Sequence, residues 1–177
     1  KYNNQVGYVV STYLLPVAPP KPGIKKMKDY LAQISIVAGS PVSVKNKRIE
    51  NIGDEGSELK KELYKNGAEW HGFNAYEYNS DTYFIPDFSI EQAFLLVRLI
   101  GEYATEVGVW DSFPDKNSEA PLLNMGTRKI TVEKVKWADG KEGPVNKIKI
   151  ETDEGPISTL EIFLLDGQAV ISWSSGV

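Results

Sequence analysis

Ile157–Trp173 reads ISTLEIFLLDGQAVISW, and this stretch decides the fold. Two apolar, β-branched runs, Ile157–Leu165 and Gln168–Trp173, flank Asp166-Gly167, a pair suited to a two-residue hairpin turn. The pattern repeats upstream. Strands fit Val145–Thr152 and Arg128–Trp137, with connections at Asp153-Glu154-Gly155-Pro156 and at Asp139-Gly140 to Gly143-Pro144. In the Arg128 strand, Ile130 and Val132 share one face whereas Val135 and Trp137 have the other parity. That change predicts a bulge near Glu133–Lys134. Residues 127–177 are expected to form an antiparallel β-meander.

Upstream of the meander, Gly108–Gly126 has neither helical nor strand periodicity and is long for a connection inside a compact domain. Before it, Ile90 to about Glu106 reads as a helix, opened by Ser89 and Gln92 in a capping-box pattern. Apolar residues cover most of its circumference, as in helices packed on more than one side. Glu69–Pro86 suggests a hairpin with strands near Phe73–Tyr78 and Thr82–Ile85, turning at Asn79-Ser80-Asp81. Ser57–Asn66 reads as a short helix with Ser57 as its cap, and Val42–Ile52 is ambiguous. Ile24, Met27, Leu31, Ile34 and Ala38 predict a helix over Ile24–Ala38. Gln5–Leu15 reads as a buried strand, ended by the proline-rich Pro16–Gly23.

The expected fold is α+β: an antiparallel sheet with a C-terminal β-meander and about three helices packed on one face. Residues 1–177 read as a single domain. Its parts are an N-terminal strand, a Pro-rich connector and helices over 1–107, a long loop over 108–126, and the meander over 127–177. Four Trp, nine Tyr and six Phe supply the burial that disordered chains lack. The longest apolar segment, Ala93–Ile100, is interrupted by Arg98, so no membrane span is expected.

Charge is segregated along the chain. Residues 1–50 carry +6, residues 51–126 carry −9 and residues 127–177 carry −1. An acidic middle block points to a basic protein partner. Lys25, Lys26 and Lys28 form a small basic group, but an acidic chain of pI about 5.2 argues against nucleic acid. With no cysteine, a disulfide scaffold and a thiolate metal site are excluded. No cofactor or metal is expected. The start of the chain shows no signal-peptide core, so a signal is absent or already removed; the expected compartment is the cytoplasm, with export after signal removal as the alternative.

Candidate chemistry is sparse. His71, the single histidine, lies in Glu69-Trp70-His71, where it reads either as a general base beside a carboxylate or as a partly buried strand residue. Carboxylates at Glu69, Glu77, Asp81, Asp87 and Glu91 suit either a hydrolytic pair or a solvated face. Trp70, Tyr76, Tyr78 and Tyr83 suit either glycan platforms or cross-strand packing. Asp115 opens a segment resembling a calcium loop, but Ala120 and Gly126 stand where that loop needs Gly and Glu. There is no phosphate-binding glycine loop, His-Glu-x-x-His motif or Gly-x-Ser-x-Gly elbow, and no catalytic residue is assigned.

The strongest lead is the long loop. Trp110 and Phe113, with Asp111, Asp115 and Glu119, read either as aromatic anchors with an acidic rim, as in protein-binding hot spots, or as an ordered loop whose aromatics dock onto the core. The expectation is a non-enzymatic protein-binding domain engaging a basic partner through these residues, in character similar to small immunity or inhibitor proteins. The alternative is a carbohydrate-active hydrolase or glycan-binding domain using Glu69, Trp70, His71 and Glu77.

Overall fold

The computed structural model describes residues 14–36, 38–40, 42–46 (backbone only), 56–108, 112–122, 126–153 and 157–176. In chain order the elements are α1 (Met27–Ile34), β1 (Val42–Asn46), β2 (Ser57–Leu63), β3 (Glu69–Ala75), β4 (Tyr78–Pro86) and α2 (Ile90–Ile100). Then follow β5 (Ser118–Pro121), β6 (Thr127–Lys136), β7 (Glu142–Thr152), β8 (Ile157–Leu165) and β9 (Gln168–Gly176). The strands form one nine-stranded sheet in the order β1-β2-β3-β4-β9-β8-β7-β6-β5, antiparallel throughout. It is two meanders joined at β4 and β9. The last strand returns to the first meander and pairs from Tyr78↔Gly176 to Pro86↔Gln168.

Strand alternation divides the sheet into two unlike faces. One carries Tyr83, Ile85, Ile130, Ile148, Ile150, Leu160, Ile162 and Ile171, all buried. α2 covers this face, packing on β7, β8 and β9 with Ile90, Ala93, Phe94, Leu96, Val97 and Ile100 buried. Each of these side chains except the small Ala93 contributes about 1.5–3 kcal/mol of burial free energy. α1 covers the β2–β3 end and adds Met27, Tyr30 and Leu31 to the same core. The opposite face carries polar rows, including Lys61, His71, Thr82, Ser172, Glu161 and Lys149 in cross-strand register.

α2 starts as its sequence requires. The Ser89 hydroxyl accepts from the Gln92 N–H at 3.2 Å, and the Ser89 N–H donates to the Gln92 side chain at 2.9 Å. It ends earlier than expected, at Ile100, because Gly101 turns left-handed at φ 71°. Residues 102–106 form turns instead, which brings Tyr103 and Glu106 back onto the sheet and Glu102 onto the start of α1.

Several expectations need correction. Two helices occur among the described residues, not about three: the segment expected as a helix over Ser57–Asn66 contains β2. Its Glu, Lys and Leu residues favour a helix locally, but pairing with β1 and β3 on both edges overrides that preference. The first hairpin turns at Tyr76-Glu77, so Asn79, Ser80 and Asp81 lie inside β4, registered against β9. The N-terminal helix is shorter, Met27–Ile34, and the long loop contains the edge strand β5. The strand expected at Gln5–Leu15 lies outside the described residues, except for Leu14 and Leu15, which are not in a strand. The meander's strands are present, with register shifts at Glu133/Lys134 and a turn of positive φ at both Asp166 and Gly167, but Gly143 and Pro144, expected in a connection, lie inside β7, and Trp137 lies outside β6. No helix among the described residues is long and apolar enough to cross a membrane.

Candidate functional site

Cross-strand register shows where the core face departs from its own rule. Its first row, Glu62–Trp70–Tyr83–Ile171–Ile162–Ile148, is mostly apolar. In the next row Lys60, Gly72 and Asp81 precede Trp173, Leu160 and Ile150. The third row is polar throughout: Glu58, Asn74, Asn79, Ser175, Ser158, Thr152 and Arg128. Polar residues at core-phased positions mark places where function and local preference diverge. Of these, Glu58, Lys60, Asn74, Asn79 and Asp81 line a groove of about 460 Å³ between the ends of β2, β3, β4 and β9.

Two tryptophans wall this groove, and each is locked by a carboxyl group. The Trp70 indole donates to Asp81 Oδ1 at 2.7 Å. Its ring lies flat over Gly72, and the Lys28 ammonium sits 3.8 Å above the ring centroid. Lys28 is held there by Glu62 at 2.7 Å. The Trp173 indole donates to Glu106 Oε1 at 2.8 Å, while Tyr103 stacks on the ring with centroids 5.7 Å apart. Glu106 is 5% exposed and also accepts from Ser158 at 2.5 Å. Thr152 and Ser158 hydroxyls lie 2.5 Å apart, extending the buried network.

The groove floor is less constrained. Asp81 is half-buried, and its second oxygen takes no hydrogen bond among the described residues. Asn74 and Asn79 face each other across β3 and β4, both exposed, with their amides likewise unengaged. Lys60 bridges to Glu58 at 3.0 Å. That pairing leaves Asp81 as the uncompensated charge among the groove's own side chains.

Glu102 lies just behind this site. α1 has Lys26 at its N-cap and no side-chain cap of its own. The Met27 N–H donates instead to Glu102 Oε2 at 2.6 Å, a cap supplied from the segment after α2. Burial pushes the Glu102 carboxyl above its ordinary value of 4.5, only partly opposed by the Met27 N–H, with Asp81 adding to the rise. A raised carboxyl pKa stabilises the fold below the unfolded value and loses that contribution as pH rises through the folded value. Glu102→Gln keeps an acceptor for Met27 without the titration. Its stability should therefore gain on the parent as pH rises from about 4.5. Urea midpoints of both proteins between pH 4 and 8 test this; parallel profiles would refute it.

Strand alternation separates the residues that the sequence places side by side. Glu69 and His71 lie together on the face opposite α2, 2.9 Å apart, with Lys61 at 2.7 Å from Glu69. Hydrogen bonds from Lys61 and then His71 hold the Glu69 carboxyl below its ordinary value. Trp70 points to the opposite face, and Glu77 is exposed in the β3–β4 turn, so these four residues do not form one site. In the long loop, Trp110 and Asp111 lie outside the described residues. Phe113 is half-buried and meets Phe94 edge-on at 5.7 Å; it lines a pocket of about 230 Å³ with Asp115. Asp115 also borders a groove of about 580 Å³ near Lys134 and Glu142, and Glu119 is exposed on β5. Sequence reading missed Asn74, Asn79, Trp173, Glu102 and Glu106 as site residues. One local signal was present: Asn74, Asn79 and Asp81 share parity with Trp70 and Tyr83 once the turn is placed correctly.

The segregated charge is also redistributed. Glu58, Glu62 and Glu69 pair with lysines, one of them Lys28 from the basic block. No group of three or more potential metal ligands occurs among the described residues. Comparison with known proteins returns no match, whether to a family model, a curated protein or a solved structure. Function must be argued from the groove itself.

Proposed function

We propose that this chain is a non-enzymatic protein-binding domain that receives a basic segment of its partner in the groove beside Asp81. One observation carries the reading: Asp81 presents an unengaged carboxylate oxygen on the groove floor, flanked by the free amides of Asn74 and Asn79. A contact beside the groove supports the reading: Lys28 places its ammonium on the Trp70 ring. Rigid indole walls limit the ordering cost of binding, because Asp81 and Glu106 hold them before a partner arrives. Of the acidic middle block, Asp81 is the member this reading makes the contact. The exposed loop acids Asp115 and Glu119 would contribute to steering over longer range.

Glycan binding draws support from the two tryptophans and the amides. It is disfavoured at Trp70, whose ring lies between Gly72 and Lys28, while Trp173 has one face taken by Tyr103. Blocked basic, neutral and acidic peptides, together with chitotriose and cellotriose, separate the readings. Basic peptides alone should change tryptophan fluorescence, and binding should weaken between about 20 and 200 mM salt as charge is screened. Asp81→Lys should abolish it. Response to an oligosaccharide without response to basic peptides would replace this reading with a glycan-binding one.

A further inference from the structure

The acceptor geometry of the groove allows a narrower statement, which rests on the basic-partner reading. We infer that the groove recognises a primary ammonium, as on a lysine side chain, in preference to a guanidinium. Three side chains that carry acceptor oxygens line the groove: Asp81, whose Oδ2 takes no hydrogen bond among the described residues, and the amides Asn74 and Asn79. Asn74 and Asn79 are direct cross-strand partners, and Asp81 follows Asn79 by two residues on the same face. Such positions stand about 5–7 Å apart at Cβ, within reach of one small cation between them. An alkylammonium has three N–H donors on a compact centre, one for each acceptor.

A guanidinium fits less well. Arginine gains most from a fork, two parallel N–H bonds to both oxygens of one carboxylate. Asp81 cannot offer both, because Oδ1 already accepts the Trp70 indole N–H at 2.7 Å. The nearest second carboxylate on the floor, Glu58, is engaged by Lys60. The molecule supplies an internal precedent for the preferred chemistry. At the neighbouring position a lysine, Lys28, is held by one carboxylate and one indole face. The four-carbon stem of an incoming lysine would run along the edges of Trp70 and Trp173.

The test uses the ¹⁵N-labelled full chain and follows its tryptophan indole N–H signals. The probes are end-blocked glycine–serine peptides carrying two lysines, two arginines or two Nε-acetyl-lysines. The lysine peptide should shift the Trp70 and Trp173 signals but not that of Trp137, which lies in the β6–β7 connection. It should bind at least about fivefold tighter than the arginine peptide, and acetylation should remove binding. Asp81→Asn keeps an acceptor for Trp70 and should weaken lysine binding by about tenfold or more. Should that variant misfold, Asn79→Ala, at an exposed position, should also weaken the lysine peptide and supplies the check. Arginine binding equally or more tightly would overturn the ammonium preference while leaving the basic-partner groove in place. Absence of any shift with either basic peptide would overturn both.

Discussion

Glu106→Ala should destabilise the fold by about 3–5 kcal/mol, one of the two largest single-residue effects we expect. Glu106 is 5% exposed and accepts hydrogen bonds from the Trp173 indole at 2.8 Å and the Ser158 hydroxyl at 2.5 Å. Truncation removes both bonds and opens a cavity under the turn formed by residues 102–106. The donors suffer unequally. Ser158 retains Thr152 as a partner at 2.5 Å, whereas the part-buried Trp173 N–H loses its acceptor. An unsatisfied buried donor costs about 1–3 kcal/mol beyond the lost bond. Glu106→Gln preserves volume and the single oxygen that accepts both bonds, so its loss should be near about 1–2 kcal/mol, the cost of weaker bonds to a neutral acceptor. Urea denaturation of both variants measures the difference. A loss below about 1 kcal/mol for the alanine variant would mean that water or another group replaces the carboxyl.

That network also explains why the site was poorly legible from the sequence while much of the fold was legible. β8 was read with its bounds intact because Ile157–Leu165 is apolar, β-branched and ended by Asp166-Gly167, all local properties. The start of α2 was legible for the same reason: Ser89 and Gln92 are three residues apart. β2 was not, since its Glu, Lys and Leu residues fit a helix, and the forces making it a strand come from β1 and β3. The site is almost entirely of the second kind. Glu106 meets partners 52 and 67 residues away, Glu102 caps a helix 75 residues before it, and Trp70 finds Asp81 across a hairpin whose turn was misplaced. Charge segregation misled similarly. It is a property of the chain, and Lys28 folding onto Glu62 cancels part of it in space.

Gly72→Ala should cost about 2–4 kcal/mol and disable the groove, although the new side chain is a single methyl. An added Cβ would lie 2.5 Å from Trp70 Cζ2 and 3.0 Å from Cη2, so the ring must move. Gly72 does not have positive φ, and backbone conformation therefore plays no part in the cost. The ring has little freedom to yield. Lys28 sits 3.8 Å above it, Asp81 holds its N–H at 2.7 Å, and the residue is 8% exposed. Moving it sacrifices a hydrogen bond to a carboxylate, worth about 1.5–3 kcal/mol, and a cation–π contact worth about 0.5–1 kcal/mol or more. Gly143 offers an internal control with nearly the same overlap. There an added Cβ would lie 2.7 Å from Trp137 Nε1, but Trp137 is 54% exposed and can swing into solvent. Gly143→Ala should therefore cost less than about 1 kcal/mol, in the range of surface substitutions. In a Trp70→Leu background the Gly72→Ala penalty should shrink by half or more, since the obstructing ring has gone. Urea midpoints of these four proteins decide the matter. If Gly72→Ala and Gly143→Ala destabilise equally, Trp70 is free to move, and the rigid wall on which lysine recognition depends does not exist.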